Sequence, residues 1–425
     1  MRILHTSDWH VGRTFHGHST LAALDEVLRE LAVLVRERAI DVVLVAGDVF
    51  DSAVPSQGSY ELLGRALSAI REAGATVILS SGNHDSATRL GFQSEFAAFG
   101  GVHVLTKTEL HDRPVTLTDE HGAVHIYGIP YLEPALVRGL YPGIPLRTHA
   151  QVLDFAMDRV RTDLAARGGR SVVMSHCFAV NVGSGDIGGS GDSGDGNVGA
   201  DNIGVGNGAG AAPAVLENAP GPISDDVVRD ITAGGLDLVP LSTFDGPDYV
   251  ALGHIHGRST LSERARYSGA PLHFSFSEAG KPRGGWLVEL GADGLESVEW
   301  LELPTPRKLS ILTGTLDELM TDAVHAHAEQ DWVFAVLTDQ SRPLDAMRTL
   351  QTRFRWCATL DHRPSVVAAA SGASYADRIK AKSDGEIVGG FLEHVRNGVG
   401  ASDAERALLA EVIALSDARL AGDAA

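Results

Sequence analysis

Seven side chains able to bind a metal recur along the chain in short polar clusters. Asp8-Trp9-His10 sets a carboxylate and an imidazole two residues apart, so in an extended segment both point the same way. Gly47-Asp48 offers a carboxylate on a turn, and Gly82-Asn83-His84-Asp85 adds an amide oxygen, an imidazole and a second carboxylate. His176 stands alone, and His254-Ile255-His256 repeats the two-residue spacing. The donors Asp8, His10, Asp48, Asn83, His176, His254 and His256 are all nitrogen or oxygen, a set that suits manganese, iron or zinc and disfavours a soft thiolate site. Seven donors exceed what one ion with open positions needs, but fit two ions sharing a carboxylate, with Asp48 the natural bridge. Two ions roughly 3.5–4 Å apart activate a water and clamp the oxygens of an in-line displacement at phosphorus. Taken singly, each histidine reads equally as a core or surface residue and Asp48 as a turn cap. The series carries the reading. Cys177, beside His176, reads as a small buried residue.

Positioning these groups requires rigid elements just before them. Apolar, partly β-branched runs precede each cluster: 2–4, 42–45, 77–79, 172–174 and 249–252. Leu21, Leu24, Leu28, Leu31 and Val35 recur every three or four residues and predict an amphipathic helix capped by Ser19 or Thr20. A second helix is expected around 60–72. Alternating strands and helices with polar groups at strand exits match ligand sites in layered α/β folds.

At 425 residues the chain exceeds a usual single domain. Its 44% apolar and 21% charged residues describe a globular protein. The early polar residues argue against a signal peptide and no apolar run is long enough to span a bilayer, so a cytoplasmic location is expected. Two cysteines, Cys177 and Cys357, exclude a disulfide framework. A formal charge of −20 argues against broad nucleic-acid binding but leaves room for a nuclease, since bound cations invert the local field. No P-loop is present, so any ATP dependence belongs to a partner.

Residues 183–212 hold twelve glycines with Asp186, Asp192, Asp195 and Asp201 and no Lys or Arg, and are expected to form a mobile acidic loop. After Pro306, strands near 309–312, 332–337 and 357–360, with helices near 315–327 and 344–354, predict a small α+β unit. Two helices follow, near 374–395 and from Ser402. Ser402 and Glu405 have capping-box spacing, and Leu408, Leu409, Val412 and Ile413 form a stripe that needs a partner surface.

The ordered motifs D-x-H, G-D, G-N-H-D, a lone His and G-H-x-H resemble the calcineurin-like metallophosphoesterase superfamily. The fuller strings 6–13, 46–51, 81–86, 268–272 and 275–278 resemble its nuclease subunits that work with a coiled-coil ATPase. This likeness implies a two-sheet αββα sandwich over 1–303, a capping domain over 304–364 and a partner-binding helical region over 365–425. It implies Asp8, His10, Asp48 and His256 around one Mn2+, and Asp48, Asn83, His176 and His254 around the other. His84 would act on the scissile phosphate, while Asp51 would orient His84 or cap its turn. Cleavage of DNA at duplex ends, single strands and hairpins is implied, by a homodimer of nuclease subunits within a heterotetramer. Arg258, Arg264, Arg266, Lys281 and Arg283 are candidate phosphate contacts or plain surface charges. The competing readings are a phosphoesterase for small molecules or phosphoproteins, and a non-catalytic scaffold, whose expected loss of ligands is absent here.

Overall fold

The computed structural model describes residues 1–181, 238–364, 382–396 and 399–423. The 183–212 segment and the start of the helix expected from 374 lie outside the described residues. The chain divides into two units, one of residues 1–14 and 18–306, the other of 15–17 and 307–425.

The first unit holds two six-stranded sheets. One runs in parallel from Arg2–Thr6 through Val42–Ala46 and Thr76–Ser80 to Val102–Leu105, with the antiparallel pair Gly284–Gly291 and Gly294–Glu302 at its other edge. The other places Arg170–His176 parallel to both Gly122–Ile129 and Tyr249–Gly253, which in turn pairs with Ala265–Tyr267. Parallel strands need both faces covered. Ile3, Val42, Leu44 and Ile78 of the first sheet meet Ile126, Val172, Met174 and Ala251 of the second in one core. The outer face of the first is covered by the helices Leu21–Glu37 and Gln57–Glu72, that of the second by His149–Arg167. This is the αββα sandwich.

The 21–37 helix buries Leu24, Leu28, Leu31 and Val35 as their spacing requires. Its cap differs from expectation: Thr20 occupies the cap position, but its hydroxyl donates to the Arg13 carbonyl. Ser56 caps the next helix by accepting from the Ser59 N–H at 3.2 Å.

In the second unit the parallel strands Leu309–Gly314, Trp332–Leu337 and Cys357–His362 form a three-stranded sheet. The helix expected over 315–327 is broken into Leu316–Thr321 and a 3-10 segment Ala323–Ala328, because Asp322 starts a new cap on the Val324 N–H. Leu319, Val333, Leu350 and Phe354 build its core. The helices Asp384–Val395 and Asp403–Asp423 follow and contact each other. No helix among the described residues is long and apolar enough to cross a membrane.

Candidate metal centre

Every candidate donor stands at or just beyond the end of a strand. Strands stop there because the backbone turns into conformations a ladder cannot hold. Asp8, His10, Asp48 and His254 have φ of 53°, 44°, 48° and 104°, each costing about 1–3 kcal/mol for a non-glycine residue. Packing must impose them. Gly253 shows how tight that packing is: a Cβ there would lie 1.8 Å from the Ala46 carbonyl oxygen and 2.9 Å from His176 Nδ1.

These turns bring the predicted donors together. Asp8, His10 and His256 each offer a ligand atom within 4.8 Å of one another, as do Asp8, Asp48 and His176. His10 Nε2 lies 3.1 Å from His256 Nε2 and 3.6 Å from Asp48 Oδ2. His176 Nε2 lies 3.3 Å from the same Asp48 oxygen and 3.0 Å from Asn83 Oδ1, which is 3.3 Å from His254 Nδ1. Asp48 thus touches both groups of donors. Its other oxygen accepts from the His84 N–H at 2.9 Å.

Supporting bonds fix these side chains from behind. His176 Nδ1 meets the Ala46 carbonyl at 2.9 Å, so its Nε2 is left for the centre. Asp8 accepts from the His254 N–H at 3.0 Å and from the Ser7 hydroxyl, which meets Ser268 at 2.7 Å. Asp85, next to His84, accepts from the main-chain N–H groups of Gly82, Val49 and Phe50 at 2.8–3.0 Å, tying two loops together.

Burial works against ionising Asp48, but His176 and His10 outweigh it and hold this carboxyl well below its usual range. Burial opposes charge on His176 too, yet Asp48 pulls that imidazole up to about 9. Burial, then the charge on His176, lowers His254 to about 3, and burial, then His10, holds His256 well below its usual value. Neutral imidazole is the form that binds a metal. Burial, then the Asp48 charge, raises Asp85 to about 6.

Some expectations need correction. His84 Nδ1 meets the main-chain carbonyl of Asp51 at 2.9 Å, whereas the Asp51 carboxylate lies 3.3 Å from His10 Nδ1 and 3.6 Å from Arg13 Nη1. Contact with His84 therefore runs through the Asp51 backbone. Arg283 is 2% exposed and paired with Glu278 at 2.8 Å, so it cannot meet DNA. Arg258 is exposed and lies over Trp300 at 4.9 Å, and Arg266 over Trp286 at 5.4 Å. Cys177 is a buried free thiol that burial pushes up to about 12. Ser7, Ser268 and Glu278 lie within the strings that carry the resemblance, but their supporting roles escaped the sequence reading because Ser268 meets Ser7, and Glu278 meets His256, only across long stretches of chain.

The residues present fit a pair of divalent ions: hard and borderline donors gather around two carboxylates, Asp48 between His10 and His176 and Asp8 within both trios, and the Nε2 atoms of His10 and His256 lie 3.1 Å apart.

Residues 1–140 match the family model described as calcineurin-like phosphoesterase. Over 327 residues the chain is 29% identical to the D subunit of nuclease SbcCD from Escherichia coli strain K12, covering 74% of this chain and 72% of that protein. The protein of the same name in Escherichia coli O157:H7 matches equally. Among solved structures, TT1561 of Thermus thermophilus has a TM-score of 0.35 at 12% identity, covering 70% of this chain and 98% of that one. The segment that matches the family model carries Asp8, His10, Asp48, Asn83 and His84, so the likeness to calcineurin-like phosphoesterases includes five of the residues gathered at this centre.

Proposed function

We propose that this chain is the nuclease subunit of an ATPase–nuclease complex in DNA repair, hydrolysing DNA phosphodiesters with two divalent ions, Mn2+ being the ion that the family resemblance implies. The convergence of both donor groups on Asp48 carries this reading. Asp8, His10, Asp48 and His256 would hold one ion, and Asp48, Asn83, His176 and His254 the other. Bound there, the ions would supply Lewis-acid polarisation of the phosphodiester and an activated water.

The chain's own residues do the rest. With Nδ1 donating to the Asp51 carbonyl, His84 carries a proton on Nε2 only as imidazolium, the state that stabilises a leaving oxygen. Asp51 has two tasks in this scheme: its carbonyl fixes the His84 ring, and its carboxylate steadies His10 from the Nδ1 side.

The relative's name supports a nucleic acid as substrate and a complex as the working form. An SbcC-type coiled-coil ATPase is the partner proposed for the C-terminal helices, where Phe391, Leu408 and Val412 are exposed. Two nuclease subunits would pair within a heterotetramer, and Phe92, Phe96 and Phe99, 74–89% exposed, offer an apolar surface for pairing. Cytoplasmic location belongs to the same reading, as do a capping domain over 304–364 and a partner-binding region over 365–425.

The test is cleavage of end-labelled duplex, hairpin and single-stranded DNA with Mn2+, beside a small phosphodiester. Manganese-dependent DNA cleavage is expected. Turnover of the small ester with none of DNA would move the chain to a small-molecule phosphoesterase.

A further inference from the structure

The motifs Ser268–Leu272 and Ser275–Glu278 stand out in the sequence, and no step of the proposed chemistry uses them. In the structure they fold behind Asp8, His10 and His256. Glu278 and Arg283, 4% and 2% exposed, form an ion pair of 2.8 Å. The Glu278 oxygen in that pair also accepts from the Phe274 N–H at 2.8 Å, so the carboxylate is held from two sides. Its other oxygen lies 3.7 Å from His256 Nδ1. Arg283 donates to the His256 carbonyl. The Phe274 ring stands edge-on to His10 and His256 at 5.5 and 5.7 Å, with Arg13 over it at 4.7 Å. Gly269, at φ 75°, lets the chain pass so close that a Cβ would lie 2.5 Å from the His256 carbonyl oxygen. Ser268 reaches Ser7, and Ser7 reaches Asp8.

Asp8, His10 and His256 are thus backed by one continuous segment. The opposite group is backed differently: His176 leans on the Ala46 carbonyl, and Asn83 lies between His176 and His254. A buried ion pair costs desolvation of both charges, and hydrophobic replacements are often as stable, so fold stability alone gives this pair little reason to persist. A carboxylate behind a ligating imidazole has a chemical reason. It fixes the ring, keeps the proton on the far nitrogen and makes the near nitrogen a better donor.

We infer that Glu278, locked by Arg283, is a positioning residue for His256 and sets the affinity of one ion only, the one held by Asp8, His10 and His256. This rests on the two-ion reading above. At 3.7 Å the carboxylate is a charge neighbour and not a hydrogen-bond acceptor. Ligation through Nε2 would make the Nδ1 N–H more positive and so strengthen its attraction to the carboxylate.

The test titrates Mn2+ alone into the full metal-free chain by calorimetry, with electron paramagnetic resonance at two equivalents. Glu278→Gln combined with Arg283→Met removes both charges, so no unpaired charge is left buried. The parent is expected to bind two ions and give a spin-coupled signal. The double variant should weaken one ion by about 10–100-fold, hold the other, and give a six-line mononuclear signal. Glu278→Asp keeps the pair with Arg283 but withdraws from His256, and should weaken the same ion by less. Should the double variant fail to fold, Glu278→Asp decides. A folded variant with both affinities unchanged, or with both weakened alike, overturns the inference. A parent that binds fewer than two ions overturns the two-ion reading instead.

Discussion

At the metal centre the chain accepts strain and buries charge, whereas the C-terminal helix pair does neither and leaves apolar surface exposed. Asp8, His10, Asp48 and His254 sit in left-handed conformations, and Asp8, His10 and His176 are almost wholly buried. The helices Asp384–Val395 and Asp403–Asp423 are regular; Ser402 and Glu405 close a capping box, and Arg396 pairs with Glu405 at 2.8 Å. Yet Phe391, Val395, Leu408, Val412 and Leu415 are 49–65% exposed. A centre that must hold geometry tolerates backbone cost, while a surface that must meet another surface tolerates exposure. The two regions should therefore respond to substitution in opposite ways.

The largest effect is expected at the shared carboxylate. Asp48→Ala takes one oxygen from between His10 and His176 and another from the His84 N–H. Metal content and DNA cleavage should fall together, the latter by more than about 100-fold. Near-normal manganese binding with full activity would remove Asp48 from the bridge.

His84→Ala should separate the two readouts, since the ring is held by the Asp51 carbonyl and is assigned to the leaving oxygen. Turnover should drop about 10²–10⁴-fold while manganese stays bound. Loss of an ion would make His84 a ligand.

His5 sharpens the contrast through pH. It pins the two sheets together, Nδ1 at 3.0 Å from the Tyr249 hydroxyl and Nε2 at 3.1 Å from the Leu252 carbonyl. Burial lowers this imidazole to about 3. Between pH 6.5 and about 3 the unfolded chain therefore binds a proton that the folded chain refuses, and folding stability falls as pH falls. His5→Gln keeps a donor and an acceptor but cannot titrate. In that window it should reduce the slope of unfolding free energy against pH by about 1.4 kcal/mol per unit, measured by urea unfolding. Equal slopes would show that His5 charges in the folded state.

The strand-end donors were legible because each depends on a short apolar run and the turn after it, both local. A layered α/β fold followed from the alternation of those runs with helices, whereas the two-sheet sandwich came from the family resemblance. What stayed hidden depends on residues distant in sequence. Nothing near Arg283 marks it as buried beside Glu278, and a surface arginine has the same local context. The carbonyl of Asp51 carries no side-chain signal at all, so the sequence reading could name the residue but not the atom that meets His84. Left-handed φ at Asp8 and His10 was equally hidden, since neither is a glycine.

The smallest effect on cleavage by the isolated chain should come from the helix pair. The expected stripe is split: Leu409 and Ile413 are half-buried, Leu408 and Val412 exposed at 61% and 54%. One side of the stripe thus has cover and the other has none, which is the arrangement of an amphipathic helix awaiting a groove or a second helix. Leu408→Asp with Val412→Asp changes only exposed positions, so the helix should form and melting should shift little. Manganese-dependent cleavage of short single strands should stay within about twofold, because surface substitutions distant from a site usually add little. Affinity for the coiled-coil ATPase should fall by more than about tenfold, the loss expected when apolar anchors at the centre of an interface become charged. Unchanged affinity would place the docking surface elsewhere. A collapse of cleavage by the isolated chain would show that the two regions are coupled.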